Sequence, residues 1–260
     1  MQKTAIGIIN HCRKDYDISE ILKNFDNVYV AYNYNLKNEE LANNENIFII
    51  PSENTTVAQV KNYIIAKAKE DKVEYLFLMD DDVIINDYKI IDEYCSLLNF
   101  SDCGVISCSV DKVINRAILG VNVASDNLGL TIKDRRFEFF SYLATNLILI
   151  NLNKVDIVYD ENLVYHEHLD FMKRLFIEKL IPFNSPYLDI NNAIKSITFS
   201  DTISFRKKNN SEVIQAYRSE YAQVMEKYKD LEEPILDVEK IAAWIVSRFE
   251  SEEAEKVVLA

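Results

Sequence analysis

Glycine is scarce in this sequence: four glycines occur in 260 residues, far below an average usage of about 7%. Gly7, Gly104, Gly120 and Gly129 are too far apart to form the G-x-G-x-x-G fingerprint of dinucleotide-binding proteins. They also cannot form the G-x-x-x-x-G-K-[ST] loop that surrounds phosphates in P-loop proteins. Any nucleotide bound by this chain must therefore be held by side chains and a metal.

Positive charge and paired cysteines are also in short supply. The chain has 29 lysine and arginine residues against 42 aspartate and glutamate residues, a formal net charge of −13. Such a chain repels polyanions, which disfavours nonspecific binding to nucleic acids or anionic membranes. The four cysteines show no C-x-x-C spacing and are expected to be reduced core residues of a cytoplasmic protein: Cys12, Cys95, Cys103 and Cys108.

Long hydrophobic runs are missing as well. No run approaches the roughly 18 apolar residues of a membrane-spanning helix, so we expect no integral membrane segment. The apolar stretch near the N-terminus is too short for a signal peptide and reads as a strand. The length suits one large domain, with or without an appendage.

Three consecutive carboxylates follow the short apolar run Tyr75 to Met79. Such a run is typical of a buried central strand, and open α/β sheets bind ligands at the carboxyl ends of these strands. Asp80, Asp81 and Asp82 would repel one another without a cation, and carboxylates are the ligands that Mg²⁺ and Mn²⁺ prefer. Capping the next helix would need one acid. The spacing therefore predicts a divalent metal that bridges the protein to a phosphorylated substrate.

Strand and helix signals alternate through the first half of the chain, which predicts an α/β fold with a largely parallel sheet. Strands are expected at residues 4–9, 28–32, 47–50, 75–80 and 104–108. Thr56 and Gln59 have the spacing of a capping box and predict the start of a helix. A further apolar run covers residues 147–150, and a helix is expected to follow His166.

The last fifty residues differ in character from the rest. Two amphipathic stripes, one from Ile214 to Tyr228 and one from Val238 to Phe249, are separated by Pro234. We therefore divide the chain into an α/β domain at 1–205 and a C-terminal helical hairpin with a charged tail at 206–260. The hairpin is expected to pack on the α/β body or on a second copy in a homo-oligomer.

Two ordered motifs lie about 85 residues apart. The first is Lys61-Asn62 followed by Asp80-x-Asp82, and the second is Tyr159-Asp160-Glu161 … Glu167-His168-Leu169-Asp170 … Arg174-Leu175. In these motifs the chain, over about residues 4–185, resembles GT-A glycosyltransferases, closest to the family 2 type. There an Arg/Lys-Asn pair precedes a D-x-D, and a loose F-D-E … E-D-x-D … R-L follows. The resemblance implies a GT-A fold, Rossmann-like, with a mostly parallel central sheet flanked by helices.

The resemblance also implies an activity: transfer of a hexosyl or pentosyl group from a nucleoside-diphosphate sugar to an acceptor hydroxyl, with Mn²⁺ or Mg²⁺ as cofactor. The cation neutralises the charge that grows on the leaving group. Asp82 is the first-choice metal ligand, while Asp80 shares the metal or binds the ribose. Further residues are assigned to the donor site by the same resemblance: Asn10, Arg13, Asn33, Lys61 and Asn62.

A basic cluster follows the second motif. Arg206, Lys207 and Lys208 lie where GT-A enzymes often carry a mobile segment over the diphosphate, and they can close on the phosphates or form a solvated loop.

An inverting transferase needs a general base opposite the leaving group. Glu167 is the favoured candidate and Asp170 the second, although Asp170 could equally cap the helix that starts here. His168 stands where the family usually has its second acid, and an imidazole can act as base, metal ligand or simple hydrogen-bonding group.

Other functions stay open at this stage. A catalytically degenerate GT-A-like binding module is favoured slightly by His168. A haloacid-dehalogenase-type phosphatase would use Asp80 and Asp82 as nucleophile and acid, but its motif belongs on the first strand and precedes a Gly-Thr turn. A sugar nucleotidyltransferase would need a glycine-rich first loop. The acceptor can be a glycan, a lipid-linked glycan, a protein or a modified nucleobase.

Overall fold

The computed structural model describes the parts of the chain that build the predicted α/β body and one helix of the C-terminal region. The described residues are 3–10, 19–32, 47–51, 55–81, 83–86, 88–100, 103–108, 128–132, 135–139, 147–180, 183–184, 194–196, 211–232, 243 and 258–259. Within them, no helix is both long and apolar enough to span a membrane.

A seven-stranded mixed sheet forms the centre of the described structure, in the order β10-β6-β9-β4-β1-β2-β3. Its strands are β1 (Thr4–Asn10), β2 (Asn27–Tyr32), β3 (Ile47–Pro51), β4 (Tyr75–Asp80), β6 (Val105–Cys108), β9 (Leu147–Asn151) and β10 (Phe183–Asn184). The first four strands pair in parallel, as the β-α-β alternation predicts. β9 runs antiparallel between β4 and β6, which its apolar pattern did not indicate.

Five helices are described: α1 (Ser19–Asn24), α2 (Val57–Glu70), α3 (Lys89–Phe100), α4 (Glu167–Ile177) and α5 (Ser211–Lys227). The predicted capping box at the start of α2 is confirmed. The Gln59 backbone N–H donates to Thr56 Oγ1 at 3.2 Å, and the Thr56 N–H donates to Gln59 Oε1 at 2.9 Å. α5 is the first helix of the predicted hairpin, whereas nearly all of the second stripe lies outside the described residues.

Helix α2 packs closely on the centre of the sheet. A Cβ added to Gly7 in β1 would lie 2.5 Å from Ile64 Cγ2 and 3.0 Å from Leu78 Cδ2. Ile64 and Leu78 are buried in the core with Ile148 and Phe171. The missing side chain at Gly7 therefore lets α2 approach β1, which fixes the helix that carries Lys61 and Asn62.

Two smaller sheets are also described. β5 (Val83–Ile85) pairs antiparallel with β11 (Ile194–Ser196) just beyond the acidic strand. β7 (Leu128–Ile132) pairs with β8 (Arg135–Phe139) and with β12 (Val258–Leu259), so the end of the charged tail returns to a sheet.

Candidate functional site

The acidic strand delivers its carboxylates to the carboxyl edge of the parallel sheet. In the β1–β4 pairing Asp80 lies opposite Ile9, and the Asp81 backbone N–H donates to the Ile9 carbonyl at 3.2 Å. Asp80 is half-buried and Asp81 is buried. This is the edge at which open α/β sheets bind ligands.

A buried ion pair joins the two sequence motifs. Lys61 lies in the second turn of α2 and Glu167 is the first residue of α4. The distance from Lys61 Nζ to Glu167 Oε1 is 3.1 Å, and the two residues are 2% and 6% exposed. The structure therefore brings together the lysine assigned to the donor site and the favoured base.

The charges of this pair depend on each other. Burial alone would raise the pKa of Glu167, but the nearby Lys61 ammonium and the neighbouring His168 side chain hold that pKa well below its usual range. Burial alone would lower the pKa of Lys61, but the negative charges of Glu167 and Asp80 raise that pKa above its ordinary value. Lys61 is thus a fixed cation within electrostatic range of the acidic strand.

Tyr159, the first residue of the second motif, forms one wall of this site. Its ring stacks on Phe171 with centroids 4.3 Å apart, and Lys61 Nζ lies 4.8 Å from its centroid. Burial, together with the charges of Glu167 and Asp80, raises the pKa of Tyr159 to about 12. Its buried hydroxyl has no hydrogen-bond partner among the described residues.

Asn62 binds the loop that contains Tyr159. Its Oδ1 accepts the Tyr159 backbone N–H at 2.7 Å, and its Nδ2 donates to the Tyr159 carbonyl and to Glu161 Oε1, both at 2.9 Å. These contacts occupy both ends of the amide. In this structure Asn62 fixes the second motif, and its assignment to the donor remains a prediction.

The two other base candidates have different surroundings. His168 Nδ1 lies 3.8 Å from Glu167 Oε2, and the His168 side chain is 12% exposed. Asp170 is fully buried: Oδ2 accepts from Arg174 Nε at 2.7 Å, and Oδ1 accepts from Lys227 Nζ at 2.7 Å and the Tyr228 hydroxyl at 2.8 Å. Helix α4 begins at Glu167, so the alternative of Asp170 as its N-cap is wrong.

Helix α5 contributes residues that the sequence did not single out. The carboxylate of Glu220 accepts the backbone N–H groups of Val164, Tyr165 and His166 at 3.0, 2.7 and 2.7 Å. No motif or spacing marks Glu220, because its role depends on how α5 docks against the body.

The structure does not describe the side chains of several other predicted site residues. Asp82, the first-choice metal ligand, lies outside the described residues, as do Arg13, Asn33, Arg206, Lys207 and Lys208; for Asn10 the strand is described and the side chain is not. Among the described residues, no group of three histidine, cysteine, aspartate or glutamate side chains is arranged to hold a metal. The donor chemistry of Asp80 at the sheet edge nevertheless suits a hard cation.

Solved structures with a similar fold were found for this chain. Residues 1–349 of TarS from S. aureus, a GT-A-type glycosyltransferase, match 96% of this chain in the complex with UDP, with a TM-score of 0.50 and 14% identity; 73% of that chain is covered. A second structure of the same TarS fragment matches with a TM-score of 0.51 and 15% identity, and the match covers 97% of this chain and 73% of the other.

This chain has a GT-A fold. A longer TarS structure matches with a TM-score of 0.54 and 14% identity. That match includes 97% of this chain and 44% of the longer TarS chain. No protein-family model and no curated protein sequence matches the chain. The GT-A fold confirms the expectation from the two motifs and removes the basis for a haloacid-dehalogenase phosphatase.

Proposed function

We propose that this protein is a metal-dependent glycosyltransferase that moves a sugar from a nucleoside-diphosphate sugar to an acceptor hydroxyl with inversion. The observation that carries this proposal is the buried Lys61–Glu167 pair, held beside the acidic strand at the carboxyl edge of a GT-A sheet. It supplies a cation for the donor and a carboxylate for the acceptor in one site.

The donor end of the site needs positive charge, because a nucleoside diphosphate is a polyanion. Lys61 is one such cation, and the predicted cluster Arg206, Lys207 and Lys208 is a second source. Asp80 and Asp82 would hold Mn²⁺ or Mg²⁺, which, when bound, neutralises the charge that develops on the leaving diphosphate. The UDP complex of TarS makes UDP the first nucleotide to test.

Glu167 is our proposed general base, and its ion pair with Lys61 governs its strength. A general base works best when its pKa lies near the working pH, and Lys61 keeps that of Glu167 far below it. An incoming diphosphate competes for the Lys61 ammonium. With this cation drawn away, burial raises the pKa of Glu167, so donor binding would strengthen the base.

Asp170 is a weaker candidate for the base than Glu167. Both of its oxygens accept hydrogen bonds from cationic or hydroxyl donors, and the residue is fully buried. This arrangement suits a residue that positions helix α4. His168 adjoins Glu167 and is the candidate to which the base role passes if Glu167 is dispensable.

Calorimetry with UDP tests the donor and metal parts of the proposal. Wild type should bind UDP more tightly with Mn²⁺ than without it, and Asp82→Asn should lose this difference. Asp92→Asn is a matched control, because Asp92 is an exposed acid on α3. Equal UDP affinity with and without Mn²⁺ in all three proteins contradicts a metal-bridged donor.

Activity and stereochemistry are tested separately. We expect wild type to release nucleoside diphosphate from at least one nucleotide sugar, and NMR of the product to show the anomer opposite to that of the donor. Glu167→Gln should lower kcat by about 10² or more without weakening UDP binding, because Lys61 no longer has a competing carboxylate. Normal turnover of Glu167→Gln and of Asp170→Asn would move the base to His168 or indicate a retaining mechanism.

A second candidate function is a binding module that holds nucleotide sugars without turning them over. The strongly lowered pKa of Glu167 favours it, since such a carboxylate is a weak base as long as Lys61 stays in place. Tight UDP binding by wild type, without turnover of any nucleotide sugar or acceptor, would select this candidate.

A further inference from the structure

Three consecutive backbone N–H groups lead into helix α4, and one carboxylate from another helix accepts them all. Glu220 Oε2 accepts from Val164, while Oε1 accepts from Tyr165 and His166. His166 is the N-cap of α4, and its own side chain makes no capping hydrogen bond. Glu220 therefore binds the N–H of the N-cap residue, as the third helical residue does in a capping box, and also the two N–H groups that precede the helix.

The same face of α5 contacts this segment at two further levels. The Tyr217 carbonyl lies 3.1 Å from His166 Nε2, one turn before Glu220. At the C-terminal end of α5, Lys227 and the next residue, Tyr228, bind Asp170. Residues 164–170, with Glu167 and His168 in the middle, are thus fixed to α5 at both ends.

From these contacts we infer that Glu220 is a positioning residue for catalysis: by fixing the peptide groups of residues 164–166, it sets where helix α4 presents Glu167 to the donor and acceptor. This inference rests on the proposed function. On this inference, helix α5 contributes to catalysis by positioning α4.

The physical basis is geometry combined with charge. A carboxylate at a helix N-terminus interacts favourably with the helix dipole, and charge-assisted hydrogen bonds from backbone N–H groups are short and directional. Glu167 follows His166 directly, so the peptide planes held by Glu220 determine the position of its Cα. Small displacements of a reacting group are costly: about 1 Å can lower a rate by about 10².

The test compares Glu220→Ala and Glu220→Gln with Glu226→Ala. Glu226 is an exposed acid on the same helix that pairs with Lys229. We expect Glu220→Ala to lower kcat about 10-fold or more with a donor KM within about 2-fold of wild type. Glu220→Gln should recover part of kcat, because its amide oxygen still accepts N–H groups but carries no charge. Glu226→Ala should match wild type.

Hydrogen exchange supplies a readout that does not depend on turnover. Amide exchange at residues 164–166 should accelerate in Glu220→Ala and not in Glu226→Ala. Glu220→Gln keeps the side-chain volume, and it carries the comparison if the alanine variant does not fold.

Three outcomes overturn the inference, and they differ from one another. Accelerated exchange with an unchanged kcat shows that the contact is present but plays no part in catalysis. A parallel loss of kcat, donor affinity and thermal stability, without recovery in Glu220→Gln, shows a merely structural contact. Absence of turnover in wild type overturns the proposed function, and the inference with it.

Discussion

Lys61 and Glu167 are 106 positions apart in the sequence, yet their side chains form an ion pair of 3.1 Å that is nearly closed to solvent. Each is the main opposite charge near the other. The pair joins the helix that follows the third strand to the helix that begins the second motif, and so it connects the two halves of the candidate site.

Removing either partner of this pair should destabilise the protein. Lys61→Met or Glu167→Gln leaves a buried charge without its partner, which typically costs about 3–5 kcal/mol. The double variant Lys61→Met/Glu167→Gln should lose much less than the sum of the two, because no buried charge remains. Urea unfolding of the four proteins measures this cycle, and additive losses would show that the pair is not coupled.

The same pair predicts how stability depends on pH. Folding lowers the pKa of Glu167, so its contribution is present above its unfolded value of about 4.3 and is lost as the pH falls through the folded value. Folding raises the pKa of Lys61, so its contribution is present below about 10.4 and is lost as the pH rises through the folded value.

The stability difference between wild type and Glu167→Gln should therefore be fully present near neutral pH and should shrink in acid. Urea unfolding at several pH values checks this, with Glu226→Gln as the exposed control. A difference that grows in acid would have the wrong sign for this pair.

Kinetics should report the same coupling. Lys61→Met removes the charge that lowers the pKa of Glu167, so the acid limb of the kcat/KM profile should move to higher pH. If His168 is the base instead, Lys61→Met should not move the acid limb to higher pH. Measurement of kcat/KM from pH 5 to pH 9 in wild type and Lys61→Met distinguishes the two.

Asn62 should matter for stability through the second motif. Asn62→Leu leaves the Tyr159 backbone N–H and carbonyl without their partners, and each buried unsatisfied group costs about 1–3 kcal/mol. Asn24→Leu removes a single exposed hydrogen bond to the Glu20 carbonyl and serves as the control. Thermal unfolding should show a clearly larger loss for Asn62→Leu, and equal losses would show that Tyr159 is held by other contacts.

The basic cluster should act on phosphate. Replacing Arg206, Lys207 and Lys208 with glutamine should weaken UDP more than uridine, because uridine lacks the charge that these side chains would neutralise. Lys133, Arg135 and Arg136 form a second basic group and give a matched triple variant. Equal losses for UDP and uridine, or none for either, would assign the cluster to a solvated loop or an acceptor surface.

Gly7→Ala should destabilise the body of the protein by about 1–3 kcal/mol, because the added Cβ would overlap Ile64. Ile64→Ala combined with Gly7→Ala should cost less than the sum of the two single changes, since the truncated side chain makes room. Chemical unfolding of the three variants measures this. A neutral Gly7→Ala would show that α2 can move away from β1.

Features set by neighbouring residues could be predicted from the sequence. The capping box of Thr56 and Gln59 is a matter of local spacing, and the apolar run before Asp80 marks a buried strand wherever it lies. The resemblance of the two motifs to one family assigned Lys61 and Glu167 to one site, but their ion pair was not predicted, because no local pattern reports a contact across a hundred residues.

Other features depend on tertiary arrangement and could not be predicted. The run Leu147 to Ile150 predicts a buried strand, but a continuous apolar run carries no information on strand direction. The antiparallel position of β9 between β4 and β6 could therefore not be predicted. Asp170 has the residue type of a base or a cap. Two of its three hydrogen-bond donors, Lys227 and Tyr228, lie at the end of α5. Its role therefore depends on how α5 packs against the body.

The antiparallel direction of β9 sets a minimum length for the chain that follows. β9 ends beside the start of β4, where Asn151 pairs with Tyr75, and α4 begins beside Lys61 near the opposite edge. The chain must cross the height of a six-residue strand, roughly 20 Å, which about six extended residues can span. Residues 152–166 are more than twice that number, and the surplus forms the turns that Asn62 and Glu220 hold. With a short deletion in residues 152–166 the chain could still connect the two edges of the sheet. It would lose the extra residues that allow Glu167 to reach Lys61.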